Sequence, residues 1–175
     1  MNRKPQGFAL IDLIFVCGII GLLAGIAVPR LTLAKSAAGS ASAIGTLRSI
    51  NSAQLTFALT CGAGFYAPNL TTLGIAPPGS HEPFIAAGLG DADTVIKSGY
   101  VIKVEATGFA GAPSSCNGLG GGEAGQGFKA GADPADSLNS RHFATNANNA
   151  IYEDTTSLYM TMPESGEPPD GHPLR

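Results

Sequence analysis

The hydrophobic and polar positions divide the chain into two parts of different character. Residues 1–7 are polar and basic, and the stretch from Phe8 to Val28 holds 21 residues with a single carboxylate, Asp12. At about 1.5 Å per residue, a helix of this length spans roughly 30 Å, the thickness of a bilayer's hydrocarbon core. The pattern therefore predicts a transmembrane helix over residues 8–28, with Arg3 and Lys4 on the cytoplasmic side.

Beyond Pro29 and Arg30 the apolar residues adopt a helical spacing of three and four. The stripe consists of Ile44, Leu47, Ile50, Ala53 and Phe57. It predicts that the helix continues to residue 61 and buries one face, while Gly62 and Gly64 end it. Leu55 and Leu59 begin a second apolar face, and the polar positions between the two faces are Arg48, Asn51 and Gln54.

The remainder, residues 62–162, carries the shorter patterns of a β-rich head. Tyr100–Glu105 alternates as a strand does, residues 127–132 form a second candidate, and residues 141–146 and 150–153 predict a hairpin around a turn at 147–149. Three or four antiparallel strands laid on the long helix give an α+β fold. Residues 65–93 are loop-like, and the Pro- and Gly-rich residues 163–175 predict a disordered tail.

Composition excludes several functions. Charged residues make up only 13% of the chain and the net charge is −3, so no basic surface for nucleic acid is expected. No cluster of Ser, Cys and His resembles a nucleophile with its base, and we expect no enzymatic activity and no cofactor. His81, His142 and His172 lack the spacing of metal ligands, so no metal site is predicted.

Two further patterns do not predict a binding site. Gly120, Gly122 and Gly125 satisfy the pattern G-x-G-x-x-G, but no strand precedes them and no helix follows, so a flexible surface loop is expected. Four acids near the end of the chain do not form a recognisable calcium loop and are expected to be solvated. They are Asp133, Asp136, Glu153 and Asp154.

Asp12 is the residue that demands an explanation. A carboxylate within the apolar core of a membrane costs about 2.5–3.5 kcal/mol on insertion scales, and no Lys, Arg or His lies within the run. Cleavage between Gly7 and Phe8 would create an α-amine four residues before Asp12. That amine could pair with Asp12 of the same helix, or with Asp12 of a neighbour in a staggered bundle.

Other interpretations of the N-terminus stay open at this point. An ordinary signal peptide could be cut after Gly25-Ile-Ala27, although its apolar core would be unusually long. A lipoprotein signal ending at Cys17 is disfavoured by the bulky Val16, and a plain membrane anchor leaves Asp12 unexplained.

The segment from Gly7 to Asp12 resembles the prepilin cleavage and methylation motif of type IV pilins and type II secretion pseudopilins. That motif has Gly before the cut, an N-methylated Phe after it, and an acid four residues later. The family acid is usually Glu, and this chain has Asp, which is one methylene shorter. Pro29 and Arg30 also match the family, and the resemblance covers residues 3–35.

The resemblance implies a structural subunit of a pilus or secretion pseudopilus. Residues 1–7 would be a leader removed by prepilin peptidase, Phe8 would be methylated, Asp12 would direct intersubunit assembly, and Pro29 would kink the helix. The implied partners are copies of itself and other pilins, the peptidase, the inner-membrane assembly platform, and the bilayer before assembly. The head would face the periplasm before incorporation into a periplasmic or cell-surface filament. The alternative is a signal-anchored periplasmic binding domain unrelated to filaments.

The expected oxidation state of the cysteines follows from this location. Cys61 and Cys116 lie outside the membrane span, and an exported head would allow them to form a disulfide. Cys17 lies within the apolar run and is expected to stay reduced.

Overall fold

The computed structural model describes residues 10–136 and 139–174 and confirms an α+β fold. Two helices are present in this part of the chain, α1 (Leu10–Thr60) and the short α2 (Leu70–Gly74). The chain divides into two compact units after Ala37, so that α1 begins in the first unit and ends in the second. The strands are β1 (Thr94–Lys97), β2 (Tyr100–Glu105), β3 (Lys129–Pro134), β4 (His142–Asn146), β5 (Ile151–Asp154) and β6 (His172–Pro173).

The sheet is an antiparallel meander in which every strand pairs with the next one in the chain, in the order β1-β2-β3-β4-β5-β6. The β1–β2 connection consists of Ser98 and Gly99, whose φ angles are +52° and +82°. Positive φ at both central residues gives the turn the twist that a two-residue hairpin needs. The predicted hairpin of residues 141–153 is confirmed by β4 and β5.

One face of α1 from Ala43 onward forms the main core with the inner face of the sheet. Leu47, Ile50 and Phe57 are completely buried there, as the predicted stripe requires. The facing residues alternate along β2 and continue on the neighbouring strands, as expected for a sheet with one buried face. They are Tyr100, Ile102, Val104, Ala130, Ala132 and Phe143.

The helix ends where the two predicted glycines follow it. The amide of Gly62 donates to the carbonyl of Phe57 at 2.7 Å, and the amide of Gly64 donates to Ala58 at 2.8 Å. A Cβ on Gly62 would lie 2.3 Å from the carbonyl oxygen of Phe65, so only glycine fits this turn. Gly64 has a φ of +94°, which is typical of a helix C-terminus.

The second face of the sheet is covered by the chain that follows β5, and the prediction of a disordered tail is wrong for residues 163–174. Leu158 and Met162 pack with Ala144 and Tyr152 in a second, smaller core. The Tyr159 ring lies over Gly131, where a Cβ would be 2.8 Å from it. Further on, β6 pairs with β5 and the Leu174 amide donates to the Ile151 carbonyl. The prolines of residues 163–174 therefore do not prevent this segment from pairing with β5.

Other local features of the head also differ from the sequence-based expectations. The second strand lies at 129–134 rather than 127–132. Helix α2 falls in the region 65–93 predicted as loop, and strand β1 follows that region directly, where no element is predicted. Helix α2 is short, but the Asn69 side chain caps it by accepting from the Thr72 amide at 2.9 Å. These elements are too short to produce a clear periodic pattern.

Cys61 and Cys116 form the predicted disulfide, with their Cα atoms 4.9 Å apart. Cys61 is buried directly after α1, and its carbonyl accepts a hydrogen bond from the Cys116 amide at 3.2 Å. The bridge therefore ties the loop before the glycine-rich segment to the end of the helix. Cys17 is free and exposed.

We predict that unreduced, denatured protein contains one free thiol, and that a Cys17→Ala variant contains none. Replacing Cys61 and Cys116 together by Ser should destabilise the head by about 4 kcal/mol, because the unfolded chain regains the entropy of a loop that spans 55 positions. Thiol titration measures the first expectation and urea unfolding the second. Three free thiols in the wild type would contradict the bridge.

Gln54→Leu should destabilise the head by about 2–4 kcal/mol, because Gln54 is fully buried and bonds both backbone polar groups of Ala67. The leucine has a similar volume but leaves that amide and that carbonyl without partners. Thermal unfolding followed by near-ultraviolet circular dichroism measures the change. Gln126→Leu is the matched control at an exposed position, and equal melting temperatures for the two variants would show that the Gln54 contact is not stabilising.

Candidate functional site

The apolar half of α1 is exposed on every side. Between Leu10 and Leu33 its large apolar side chains range from 43% exposed at Ile19 to 75% at Leu22. An 18-residue window of this helix has a mean hydropathy of 2.6, and none of it is buried. A surface helix of a soluble protein would show one apolar stripe, whereas a helix apolar all round is typical of a membrane span or a buried core. This single long apolar helix near the N-terminus is consistent with a membrane anchor.

Asp12 is the one carboxylate in this segment. Its side chain is exposed, and its helical neighbours three and four positions later are the exposed Phe15 and Val16. Among residues 10–29 there is no Lys, Arg or His that could neutralise it. Asp12 forms no ion pair within residues 10–136 and 139–174. Gly7 and Phe8, the predicted cleavage and methylation positions, lie outside the described residues.

Pro29 lies within α1, and helical residues continue on both sides of it. Proline lacks a backbone N–H, so the carbonyl four residues earlier, that of Gly25, loses its usual intrahelical donor. The Thr32 hydroxyl donates to the Pro29 carbonyl at 2.9 Å one turn later. The proline thus weakens the hydrogen-bond ladder without ending the helix, and the kink expected there stays a prediction.

Small residues recur along the same segment. Gly18, Gly21 and Gly25 have no atom outside their local backbone within 4 Å of an added Cβ. Cys17 lies four positions before Gly21 and carries an exposed thiol. Small residues at such spacings allow two helix backbones to approach closely in an apolar environment.

Sequence reasoning missed the polar residues that hold α1 to the head. Asn51 and Gln54 were expected to lie between two apolar faces, but they are 8% and 0% exposed. The Asn51 amide donates to the Thr145 hydroxyl at 3.0 Å, and the buried Ser40 and Tyr100 hydroxyls lie 3.0 Å apart. The signal was present in the spacing, because positions 51 and 54 fall on the same side as Leu47.

The acids predicted to be solvated are partly engaged in contacts within the head. Asp133 lies 2.7 Å from Nδ1 of His142 and accepts from the Ser157 hydroxyl at 2.8 Å. That serine bonds the carboxylate rather than the imidazole, so the contact holds the chain after β5 and does not activate a nucleophile. Glu153 pairs with both Arg141 and His172.

The remaining charged groups near the sheet also contact the chain itself. The Thr155 backbone amide bonds the carboxylate of Asp154 and lowers its pKa. Burial raises the pKa of Tyr159 to about 12, and the hydrogen bond that its hydroxyl donates to Glu105 acts in the same direction. Within residues 10–136 and 139–174, no three His, Cys, Asp or Glu side chains converge as metal ligands.

The glycine-rich loop does not have the geometry of a phosphate-binding turn. The Gly120 amide donates to the Glu123 carboxylate at 2.8 Å, which places an anion where phosphate would bind. Gly125 forms bridges with Tyr66 and Gly108, and strand β3 follows instead of a helix. These bridges fasten the loop to the head.

Comparison of the chain with protein-family models, with curated proteins and with solved structures finds no match.

Proposed function

We propose that this chain is a structural subunit of a type IV pilus or type II secretion pseudopilus, which polymerises through the apolar half of α1. The observation that carries the proposal is one continuous helix with two different surfaces. Residues 10–33 are apolar and exposed on every side, whereas residues 43–58 bury one face under a small sheet. Such a helix suits a subunit that is first inserted in a membrane and then leaves the lipid to pack against the same helix of other copies.

Asp12 supports assembly over simple anchoring. In lipid its charge costs about 2.5–3.5 kcal/mol on insertion scales, a cost that a plain anchor has no reason to carry. In a bundle of staggered copies, the α-amine of Phe8 that cleavage creates would pair with Asp12 of a neighbour and define the axial register. The small residues at positions 17, 21 and 25 would let the backbones of such neighbours pack closely.

The proposed life cycle has two states, the subunit in the membrane and the subunit in the filament. The precursor lies in the bacterial inner membrane with its head in the periplasm, and prepilin peptidase removes residues 1–7. The assembly platform then moves the mature subunit into a periplasmic or cell-surface filament of identical and related subunits. The head contributes contacts and surface but no catalysis.

The mature protein should begin at Phe8 with a methylated amine. Terminal sequencing and intact mass of the membrane fraction measure this, and Gly7→Val should leave the precursor uncut because the peptidase requires a small residue before the cut. A mature chain that starts at Val28 would instead indicate ordinary signal peptidase and favour a secreted binding domain.

Asp12→Ala should enter the membrane at least as well as the wild type, since it removes a costly charge, yet filament yield should fall at least about tenfold. The reason is the lost intersubunit ion pair, and an uncompensated amine in an apolar bundle costs several kcal/mol. Filaments sheared from cells and the membrane pool are quantified in parallel.

Asp12→Glu is the control for this experiment, because it keeps the charge and restores the acid that is usual in the family. It should assemble at least as well as the wild type. Normal filament yield from Asp12→Ala would show that Asp12 does not direct assembly.

A further inference from the structure

The head half of α1 presents a second surface that the sheet leaves uncovered. We define the outer helix face as six exposed residues on the side opposite the main core, namely Ala41, Gly45, Arg48, Ser52, Leu55 and Leu59. Leu55 is 46% and Leu59 is 75% exposed, although the opposite side of the same helix is tightly buried. The outer helix face therefore consists of small and apolar side chains with one cation, Arg48.

Two threonines beside this face are less polar than their sequence suggests. The Thr56 hydroxyl donates to the Ser52 carbonyl at 2.8 Å, and the Thr60 hydroxyl donates to the Thr56 carbonyl at 2.7 Å. Each hydroxyl is satisfied by its own helix, which is the usual arrangement for helical threonine. Covering this side of α1 would not leave these two hydroxyls without partners.

A shallow cleft of about 260 Å³ lies on the outer helix face. It is lined by Arg48, Asn51, Ser52, Leu55 and Asn149. The turn between β4 and β5 forms its rim, and the Asn51 side chain holds that turn by bonding Thr145 on β4. The cleft is thus built from a rigid helix and a fastened turn, with a cation at its edge.

Charge indicates what occupies the cleft. Arg48 is the only charged residue between Ala38 and Thr60, and it has no ion-pair partner in the described part of the chain. Residues 61–174 carry twelve Asp and Glu against four Lys and Arg, a net of −8. Four exposed acids there form no side-chain hydrogen bond or ion pair with the described residues, namely Glu82, Asp91, Glu167 and Asp170.

We propose that the outer helix face is an interaction surface for the acidic head of a second copy of this chain, with Arg48 paired to a carboxylate and Leu55 and Leu59 covered. Heads of like charge repel one another, so a cation placed at the contact is what allows them to approach. Arg48 favours an arrangement in which the acidic part of the second copy contacts the cleft, rather than the outer helix face of that copy. The two copies therefore contact each other through different surfaces. Such a heterologous contact can continue into a filament.

The size of the face explains why this contact accompanies assembly. A helix of 23 residues, Ala38 to Thr60, is about 34 Å long and offers on the order of 300 Å² on one side. A stable interface needs about 800 Å² from each partner. The face therefore acts only when another contact already holds the copies together. In this respect the inference rests on the proposed function, in which residues 10–33 supply that contact.

The first experiment uses full-length protein in cells and compares two pairs of exposed positions. Arg48→Glu and Leu59→Asp should each lower the yield of sheared filaments about tenfold, because each places an acid against an acidic partner. Lys97→Glu and Ile96→Asp make the same changes on the exposed β1 edge and should stay within about twofold of wild type. Thiol titration confirms that every variant retains the disulfide of a folded head.

The second experiment identifies the partner directly by placing a photo-crosslinking amino acid at Leu59. Mass spectrometry should find an adduct to residues 61–174 of a second copy. If wild-type filaments form but the adduct is absent or joins a different protein, the inference is overturned while the proposed function stands. If the mature chain does not start at Phe8 and no filament forms, the proposed function fails, and an adduct between copies held together by the membrane would still support the interaction surface.

Discussion

The burial of one side of α1 under the antiparallel sheet is the contact on which the folded head depends. Leu47, Ile50 and Phe57 supply its apolar area, and they are completely covered. The sheet depends on this helix in turn, because the apolar residues of its inner face pack in one core with those of α1.

Three devices compensate for a core that is small. Alanine fills many buried positions of the sheet, so the apolar area gained for each residue is low. Buried polar contacts at Ser40, Asn51 and Gln54 add directional bonds that specify how the helix is rotated against the sheet. The disulfide between Cys61 and Cys116 then restricts the unfolded chain, and the residues after β5 close the second face.

The same helix behaves differently in its first half, where no stripe exists to choose one side. A membrane or a bundle of other helices would suit its apolar surface, and in the proposed function the charge of Asp12 favours the bundle. In the proposed function, the helix must be stable in the membrane and in the filament. A helix that is apolar on every side and carries one carboxylate meets this requirement. The contact proposed for the outer helix face of the head would add a weaker surface, effective once copies are held together.

The sequence by itself determined the features that depend on local pattern. The apolar run, the buried stripe on α1, the stop at Gly62, strand β2 and the β4–β5 hairpin follow from periodicity and turn chemistry. Candidate roles for Gly7, Phe8 and Asp12 came from residue chemistry and a family resemblance, without tertiary information.

Only the tertiary structure decided the features that depend on partners distant in the chain. Spacing places Gln54 on the buried side of α1, but its amide is tolerated there because the Ala67 backbone, 13 residues away, satisfies both of its ends, and no local pattern predicts that partner. Residues 163–174 are ordered because β5 and Asn146 offer hydrogen bonds to them, although their composition is typical of disorder. A short segment with weak local preference takes its conformation from the surface it meets, and that surface exists only when the whole sheet has formed.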